Sequence, residues 1–508
     1  MKKMLLLAAV TMLAVTSVQA QRLSCIHNSG ATRGEDENYG LPAPMDFDSE
    51  KTYRQPVVLI SFSNQDFSMD NPKDYYDRLF NEKGFNSGAG LGCVADYFRD
   101  QSGGRLNLQF DIYGPIKIDD TVGGATHAFY DISSQVSALK QLYETEQTDF
   151  SIYDWDGDGT VNQVVFVTAG YSGEQKKGYI YPTTGYVVSK LPGDIYLHFG
   201  SVSNELWEDG SLNGIGTIVH EFCHCLGLPD IYPMAPATTF SAVDEWDLMD
   251  GGNYTNRGWC PPNLTAMERM YLGWDTPEEL TAPTTIEGMK PLSEGGKTYI
   301  IRNSANSDEY YLLEHRRQTG WDYGCPGNGL LIYHIDYDKK SWRNSQVNVS
   351  DTHFRYDIIH ASGWKYKDWC PQNDSKDKTR WTEEDLLRSR YFSTSPYPYT
   401  DPKTLTVKDS LTDNSSPAAK LFTPAEDGRK FMGKPITNIK LATDGTVSFT
   451  FMGGEDTGIE MISDVRSEMS DVWYTIDGRR LPGKPTARGL YLRRSTSKGG
   501  KTTKYQIY

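Results

Sequence analysis

Hydrophobic runs and helical patterns alternate over the first half of the chain. Residues 57–60 (VVLI) and 164–167 (VVFV) are continuous apolar runs typical of buried strands, and residues 106–112 alternate with period two. Short helical patterns occur at 75–80 and 94–98. Strands interleaved with helices predict an α/β layer in this part of the protein.

A further helix is predicted from about residue 214 to residue 226. At 100° per residue, its two histidines, His220 and His224, fall on the side of the helix opposite an apolar stripe. That stripe consists of Ile215, Ile218, Val219, Phe222 and Leu226. Gly227 is the expected helix stop, and Pro229 prevents continuation.

Beyond the histidine helix the pattern changes to strands. One more helix is predicted over residues 265–271, after the Pro261-Pro262 pair. Strand-like segments then follow at 298–302, 310–314, 330–335, 356–359, 436–441 and 447–451. The sequence therefore predicts a β-rich region after Pro277.

Composition and the N-terminus limit the function classes. The first twenty residues have a basic start, an apolar run and a small-residue end at Ala20, which is the pattern of a secretory signal peptide. No later stretch is long enough for a transmembrane helix. A net charge of −16 argues against nucleic acid as a partner. Seven cysteines are too few for a disulfide scaffold in 508 residues, although one or two bridges are compatible with export.

The strongest chemical signal is the string His220-Glu221-Phe222-Cys223-His224. Histidines at i and i+4 on one helix face can bind a single zinc ion, and the intervening glutamate can reach a water on that zinc. His220 and His224 are therefore the predicted zinc ligands, and Glu221 is the predicted catalytic base.

A catalytic zinc needs a third protein ligand, and spacing favours Asp230. A glycine three residues after the second histidine allows a turn that returns the residue six past that histidine to the metal. Here the glycine is Gly227 and the returning residue is Asp230. The alternatives are a turn carboxylate or a calcium ligand at Asp230, with the third ligand supplied by one of four nearby acidic residues: Asp244, Glu245, Asp247 and Asp250.

Residues around this string have further candidate roles. Met249, in a glycine-bearing turn, is expected to form an apolar floor below the zinc, or else only to fill the core. Cys223 and Cys225 suggest a structural zinc site, but they point in different directions on the helix, so burial or a disulfide to Cys260 is favoured.

Tyr254 and Tyr271 are candidates for an oxyanion hydrogen bond. Four histidines remain unassigned: His315, His334, His353 and His360.

A second metal site is predicted at residues 154–162 (DWDGDGTVN). The string matches the first nine positions of a calcium loop, with the candidate ligands Asp154, Asp156, Asp158, Thr160 and Asn162. Position 12 is Val165 rather than glutamate. An acidic turn without metal is the alternative.

Taken together, the motifs resemble the immune inhibitor A family of secreted bacterial metallopeptidases, which is metzincin-like. The resemblance covers most of residues 53–362 and part of the region to 452. It depends on ordered matches that include Gly214-Ile215-Gly216, the histidine helix, Gly227-Leu228-Pro229-Asp230 and Trp246-Asp247-Leu248-Met249. It implies a zinc endopeptidase with His220 and His224 as ligands and Glu221 as base. The long propeptide of many relatives is absent, and only residues 21–52 precede the first core strand.

The expected fold class is α+β: a metzincin-like catalytic domain, a β-rich domain and a small C-terminal β segment. The expected boundaries are 1–20 signal peptide, 21–52 extended or short pro-like segment, 53–275 catalytic domain, 276–455 β-rich domain and 456–508 C-terminal segment. That last segment resembles the sorting segments of exported Bacteroidetes proteins, which implies contact with export machinery.

The expected function is hydrolysis of protein or peptide substrates by an enzyme secreted to the medium or cell surface, with zinc and calcium as cofactors. The alternative is an inactive surface adhesin or glycan-binding protein that keeps the peptidase fold.

Overall fold

The computed structural model describes residues 40–86, 90–124, 133–174, 176–191, 194–233, 241–350, 352–365 and 391–453, together with short strands at 26–28, 472–475, 480–481, 489–494 and 502–507. The predicted signal peptide lies outside these residues. Within them, no helix is long and apolar enough to cross a membrane.

A six-stranded mixed sheet forms the first layer. Its strands are β1 (Ile26–Asn28), β2 (Thr52–Phe62), β3 (Asn107–Ile118), β4 (Thr160–Tyr171), β5 (Thr183–Lys190) and β6 (Tyr196–Leu206). Their order in the sheet is β1-β5-β6-β4-β2-β3. All neighbouring pairs are parallel except β5 with β6, which is antiparallel.

Helices cover both faces of this sheet, which explains the continuous apolar runs of its strands. The helices that contact its strands are α1 (Pro72–Asn81), α2 (Val94–Gln101), α3 (Ser133–Glu146) and α4 (Gly216–Cys225). Two shorter helices, α5 (Ala266–Tyr271) and α6 (Lys339–Arg343), follow later in the chain. On β2, Val57 and Leu59 enter the same hydrophobic cluster as apolar residues of α1, α2 and α4. The alternate residues Val58 and Ile60 enter the cluster that contains α3.

The histidine helix α4 begins where the chain passes very close to another segment. A Cβ atom on Gly216 would lie 2.0 Å from the carbonyl oxygen of Asn253, so only glycine fits at this helix start. α4 packs against β5 and β6 of the sheet. The sheet therefore fixes both the position and the rotation of the helix that carries the histidines.

The region after residue 277 is built from strands. They are β7 (Glu278–Glu279), β8 (Thr284–Met289), β9 (Tyr299–Arg302), β10 (Glu309–Arg316), β11 (Gly329–Asp336), β12 (Tyr356–Ile358), β13 (Tyr399–Thr400), β14 (Val407–Lys408), β15 (Ile436–Leu441) and β16 (Val447–Phe451). They form a five-stranded sheet β12-β11-β10-β9-β7, a three-stranded sheet β15-β16-β8 and the β13-β14 pair.

The five-stranded sheet contributes to two cores. Leu312 and Leu331 belong to the cluster that contains Phe222 of α4, whereas Leu313 and Ile332 belong to a cluster shared with Phe449 of the three-stranded sheet. One hydrophobic core thus includes residues from both sides of position 275.

The chain divides into two compact units, residues 1–455 and 456–508. The described strands of the second unit are β17 (Val472–Thr475), β18 (Arg480–Leu481), β19 (Gly489–Arg494) and β20 (Thr502–Ile507). They form an antiparallel sheet of order β18-β17-β19-β20. A sorting role for this unit stays a prediction.

Strongly periodic or continuous apolar segments of the sequence are found as the expected elements. The predicted helix at 214–226 is α4, Gly216–Cys225, and the predicted helix at 265–271 is α5 with Thr265 as its N-cap. The elements that sequence patterns missed include α3, β5 and β6, and the shorter β1, β8 and α6. The strand β5 proves to be the most consequential of these, because it contacts the histidine helix.

Candidate metal centre

Both histidines of α4 are fixed in orientation through their Nδ1 atoms. Nδ1 of His220 lies 2.9 Å from the carbonyl oxygen of Leu248, and Nδ1 of His224 lies 2.8 Å from that of Leu228. A carbonyl can only accept, so Nδ1 of each neutral ring carries the hydrogen and Nε2 presents a lone pair. Both side chains are buried, with 2% and 0% relative exposure.

The two Nε2 atoms converge on Asp230. Oδ1 of Asp230 lies 3.4 Å from Nε2 of His220 and 3.3 Å from Nε2 of His224. Neither Nε2 atom has a hydrogen-bond partner among the described residues, although both are buried. Buried polar atoms normally have a bonding partner, and a metal ion would be the partner of these two nitrogens.

The spacing of these atoms fits a metal ion. A tetrahedral centre with bonds of about 2.0–2.2 Å separates its ligand atoms by roughly 3.3–3.6 Å. The two distances to Asp230 Oδ1 match this separation. Burial opposes ionisation of Asp230, but the neighbouring His224 and His220 lower its pKa well below the usual value. Asp230 therefore contributes a carboxylate to the group.

The turn between α4 and Asp230 depends on Gly227. Its φ is +104°, and a Cβ atom there would lie 2.6 Å from the carbonyl oxygen of Pro42. Trp342 Nε1 donates a hydrogen bond to the Gly227 carbonyl at 3.2 Å, and the backbone N of Asp230 donates to Ser345 Oγ at 2.9 Å. The helix α6, through Trp342, and the loop after it, through Ser345, thus hold the two ends of this turn.

Glu221 lies beside the histidines and is 1% exposed. Burial raises its pKa to about 8, and the charges of Asp230 and Glu174 add to this, whereas His220 and a hydrogen bond from Thr184 lower it. Thr184 Oγ1 lies 2.8 Å from Glu221 Oε2 and 2.8 Å from the Glu221 carbonyl oxygen. Nothing in the sequence around Thr184 indicated this contact.

The two tyrosines that are candidates for an oxyanion hydrogen bond have different contacts. The Tyr254 hydroxyl donates to the Glu174 carboxylate at 3.0 and 3.1 Å, and the charge of Glu174 acts on Glu221. The Tyr271 ring packs on Trp342, with ring centroids 4.9 Å apart. Sequence reasoning did not identify Glu174, because no motif surrounds it.

The turn that contains Met249 lies next to the metal group. Besides the Leu248 carbonyl that binds His220, the Met249 carbonyl accepts a hydrogen bond from the Ile231 amide at 2.9 Å. Met249 itself is fully buried. The turn therefore connects the first histidine to the residue that follows Asp230, and the floor role of the Met249 side chain stays a prediction.

Asp247, two residues before Met249, forms a pair of buried carboxyl groups with Glu268. Asp247 and Glu268 are both 0% exposed, and their charges act on each other. Burial raises the pKa of Glu268 to about 7, and burial together with the charge of Glu268 raises that of Asp247 well above its usual value. Burial and mutual repulsion therefore both favour the protonated form of this pair.

The acidic residues that compete with Asp230 have other contacts. Asp250 Oδ2 accepts hydrogen bonds from the amides of Val243 and Asp244, and Asp247 pairs with Glu268. Among the described residues, the carboxylate that lies close enough to His220 and His224 to share a metal ion with them is that of Asp230.

Of the two alternatives for Cys223 and Cys225, burial or a disulfide to Cys260, the described part of the chain has no such disulfide, and Cys223 is buried. All five cysteines within the described ranges are thiols: Cys93, Cys223, Cys225, Cys260 and Cys325. Burial raises the pKa of Cys223 and Cys225 well above the usual thiol value. Neither cysteine belongs to the described group of His220, His224 and Asp230 that could hold a metal. Cys25 and Cys370 lie outside the described residues.

The predicted calcium loop brings three carboxylates together. Asp154, Asp156 and Asp158 each offer an oxygen within 4.8 Å of the others. Asp154 accepts hydrogen bonds from the amides of Gly157 and Gly159 at 2.7 and 2.9 Å, which shapes the loop. Partial burial and the charge of Asp158 raise the pKa of Asp156. Calcium binding here stays a prediction, as do the contributions of Thr160 and Asn162.

The histidines of the β-rich region have partners away from the metal group. These partners are the Met289 carbonyl for His315, Glu309 for His334, Asp336 for His353 and Ser395 for His360.

A buried histidine pair and a carboxylate, with a glutamate on the same helix, are the arrangement expected at the site of a metallopeptidase. Comparison with known proteins agrees: residues 207–275 match the family described as immune inhibitor A peptidase M6, catalytic domain. The match confirms the resemblance to an immune inhibitor A-like metallopeptidase family. The matched segment includes α4, the Asp230 turn and the Met249 turn. No curated protein matches the chain.

Proposed function

We propose that the protein is a secreted zinc-dependent endopeptidase that hydrolyses peptide bonds in protein substrates. His220, His224 and Asp230 would hold the zinc, and Glu221 acts as general base. The observation that carries the proposal is the convergence of two buried, partnerless imidazole nitrogens on Asp230 Oδ1 at 3.4 and 3.3 Å.

The residues of the site divide the chemistry between them. A bound zinc supplies a Lewis acid that polarises the substrate carbonyl and lowers the pKa of water toward about 7. Glu221 accepts the proton of the attacking water and delivers it to the leaving amine. Its position supports this role, because Glu221 follows His220 on α4 and is buried beside the metal group.

Secretion is supported by the signal-peptide pattern at residues 1–20. A calcium ion at Asp154, Asp156 and Asp158 would stabilise the start of β4 and have no part in the reaction. The family match gives no support to the alternative of an inactive adhesin or glycan-binding protein.

Purified protein with casein as substrate tests the proposal. We expect cleavage that 1,10-phenanthroline suppresses and added zinc restores. Cleavage that continues unchanged in saturating chelator, after zinc has been shown to be removed, would contradict it.

A further inference from the structure

The strand β5 places one hydroxyl against the proposed general base. Thr184 Oγ1 lies 2.8 Å from Oε2 of Glu221 and also 2.8 Å from the Glu221 carbonyl oxygen. Both residues are 1% exposed. Water therefore does not compete for either contact, and the hydroxyl is a fixed part of the surroundings of Glu221.

The position of Thr184 is set by the sheet on both sides. Within the ladder, Thr184 pairs with Ser201 of the antiparallel neighbour β6 and with Ile26 of the parallel neighbour β1. Successive strand residues point to opposite faces, so Thr184 and not Thr183 is directed at α4. A β-branched side chain has restricted χ1 freedom, which further limits movement of the hydroxyl.

The hydroxyl has one hydrogen and two acceptors within reach. The Glu221 carboxylate is the stronger acceptor because hydrogen bonds to ionised groups are roughly twice as strong as neutral ones. The Glu221 carbonyl is a helix acceptor that already serves α4. When Glu221 carries the proton taken from water, its own O–H can donate to Thr184 Oγ1, and the threonine hydrogen can turn to the carbonyl. The side chain thus has a hydrogen-bond partner in both states.

We infer that Thr184 is a positioning residue that holds Oε2 of Glu221 and so directs Oε1 to the attacking water. This inference depends on the proposed function, because it assigns Thr184 a role through the general base. Thr184 would act through its contacts with Glu221 and not on the reacting atoms. Orientation of a catalytic group to within about 1 Å changes rates by up to about 100-fold, so loss of one such contact has a measurable effect.

The test compares three variants of the full secreted chain. Thr184→Val keeps the side-chain shape and removes the hydroxyl, Thr184→Ser restores it, and Thr183→Val makes the same change on the opposite face of β5. For Thr184→Val we expect kcat to fall about 10–100-fold, with KM and the zinc dissociation constant each changed less than about threefold. Thr184→Ser is expected to retain kcat within about fivefold, and Thr183→Val within about twofold.

Two results would overturn the inference. One is a Thr184→Val kcat equal to that of Thr183→Val. The other is a loss of kcat accompanied by an equal loss of zinc affinity or by a lower melting temperature of the zinc-loaded protein. Either would mean that Thr184 only stabilises the packing of α4 on β5.

Glu221→Gln is measured in parallel. Full activity of that variant would defeat the proposed function, whereas its inactivity beside an active Thr184→Val would defeat the inference alone.

Discussion

The Nδ1 atom of His220 lies 2.9 Å from the carbonyl oxygen of Leu248, twenty-eight residues later in the chain. This contact connects the histidine helix to the Met249 turn and sets the tautomer that leaves Nε2 available for metal. Hydrogen bonds of this kind orient metal ligands and raise their basicity. The metal group is therefore built from two separate loops that meet at α4, and each can be tested by itself.

Asp230 is expected to be the third ligand. Asp230→Asn removes the charge that faces both imidazoles and should lower zinc affinity at least about tenfold, with a parallel loss of cleavage. Asp244→Asn, a competing acidic residue of the same region, should leave zinc affinity nearly unchanged. Competition with a chromogenic chelator measures both. A larger loss in Asp244→Asn than in Asp230→Asn would show that Asp230 is not the third ligand.

Gly227 should tolerate no side chain. Gly227→Ala forces a φ of +104° on a residue with Cβ and drives that atom to 2.6 Å from the Pro42 carbonyl oxygen. We expect destabilisation of about 1–3 kcal/mol and weaker zinc binding, since the turn that returns Asp230 must move. Denaturant unfolding gives the first quantity. Gly428→Ala is the control, because Gly428 also has a positive φ, +80°, but a Cβ atom at that position would meet no other atom within 4 Å.

The motif residues could be predicted because their spacing is local. The helical period predicts that His220 and His224 lie on one face of a helix. Gly227, three residues before Asp230, predicts the turn that brings Asp230 to that face. The residues that support the site could not be found in this way. Thr184 and Ser345 reach it from 37 and 115 positions away, from a strand and a loop with no apolar periodicity, so only the fold brings them to Glu221 and Asp230.

The fold was predictable to a similar extent. Continuous apolar runs identified β2 and β4 because both faces of these strands are buried. The strand β5 (TTGYVVSK) and the strand β6 (YLHFGSVSNEL) mix polar and small residues with apolar ones, so neither gives a clear period. The predicted domain boundary at residue 275 stays a prediction, and one hydrophobic cluster contains residues from both sides of it.

The Asp247 and Glu268 pair should make stability fall as pH rises. Folding raises the pKa of Glu268 from an unfolded value of about 4.5 to about 7, so between these values the folded state binds more protons than the unfolded state. The free energy of unfolding should therefore decrease across this window. In Glu268→Gln the decrease should be smaller. Urea unfolding at pH 5 to 8 measures it, with the exposed Glu287→Gln as control. An identical pH slope in Glu268→Gln and wild type would show that the pair does not retain its proton.

The acidic loop at 154–162 should bind calcium. Three carboxylates within 4.8 Å repel one another, and a divalent cation would remove that repulsion. Calcium is expected to raise the melting temperature of wild type and to have less effect on Asp156→Asn. Asp209→Asn, at an exposed ion pair with Arg257, is the control. An equal calcium response in all three proteins would argue for an acidic turn without metal.

The most direct test of the central claim is the activity of Glu221→Gln with its metal content measured on the same sample. The substitution keeps the shape of the side chain and removes its ability to accept a proton, while His220, His224 and Asp230 remain. We predict one zinc per chain, as in wild type, and a loss of casein cleavage of at least about 1000-fold. Near-normal cleavage by the zinc-loaded variant would contradict the account.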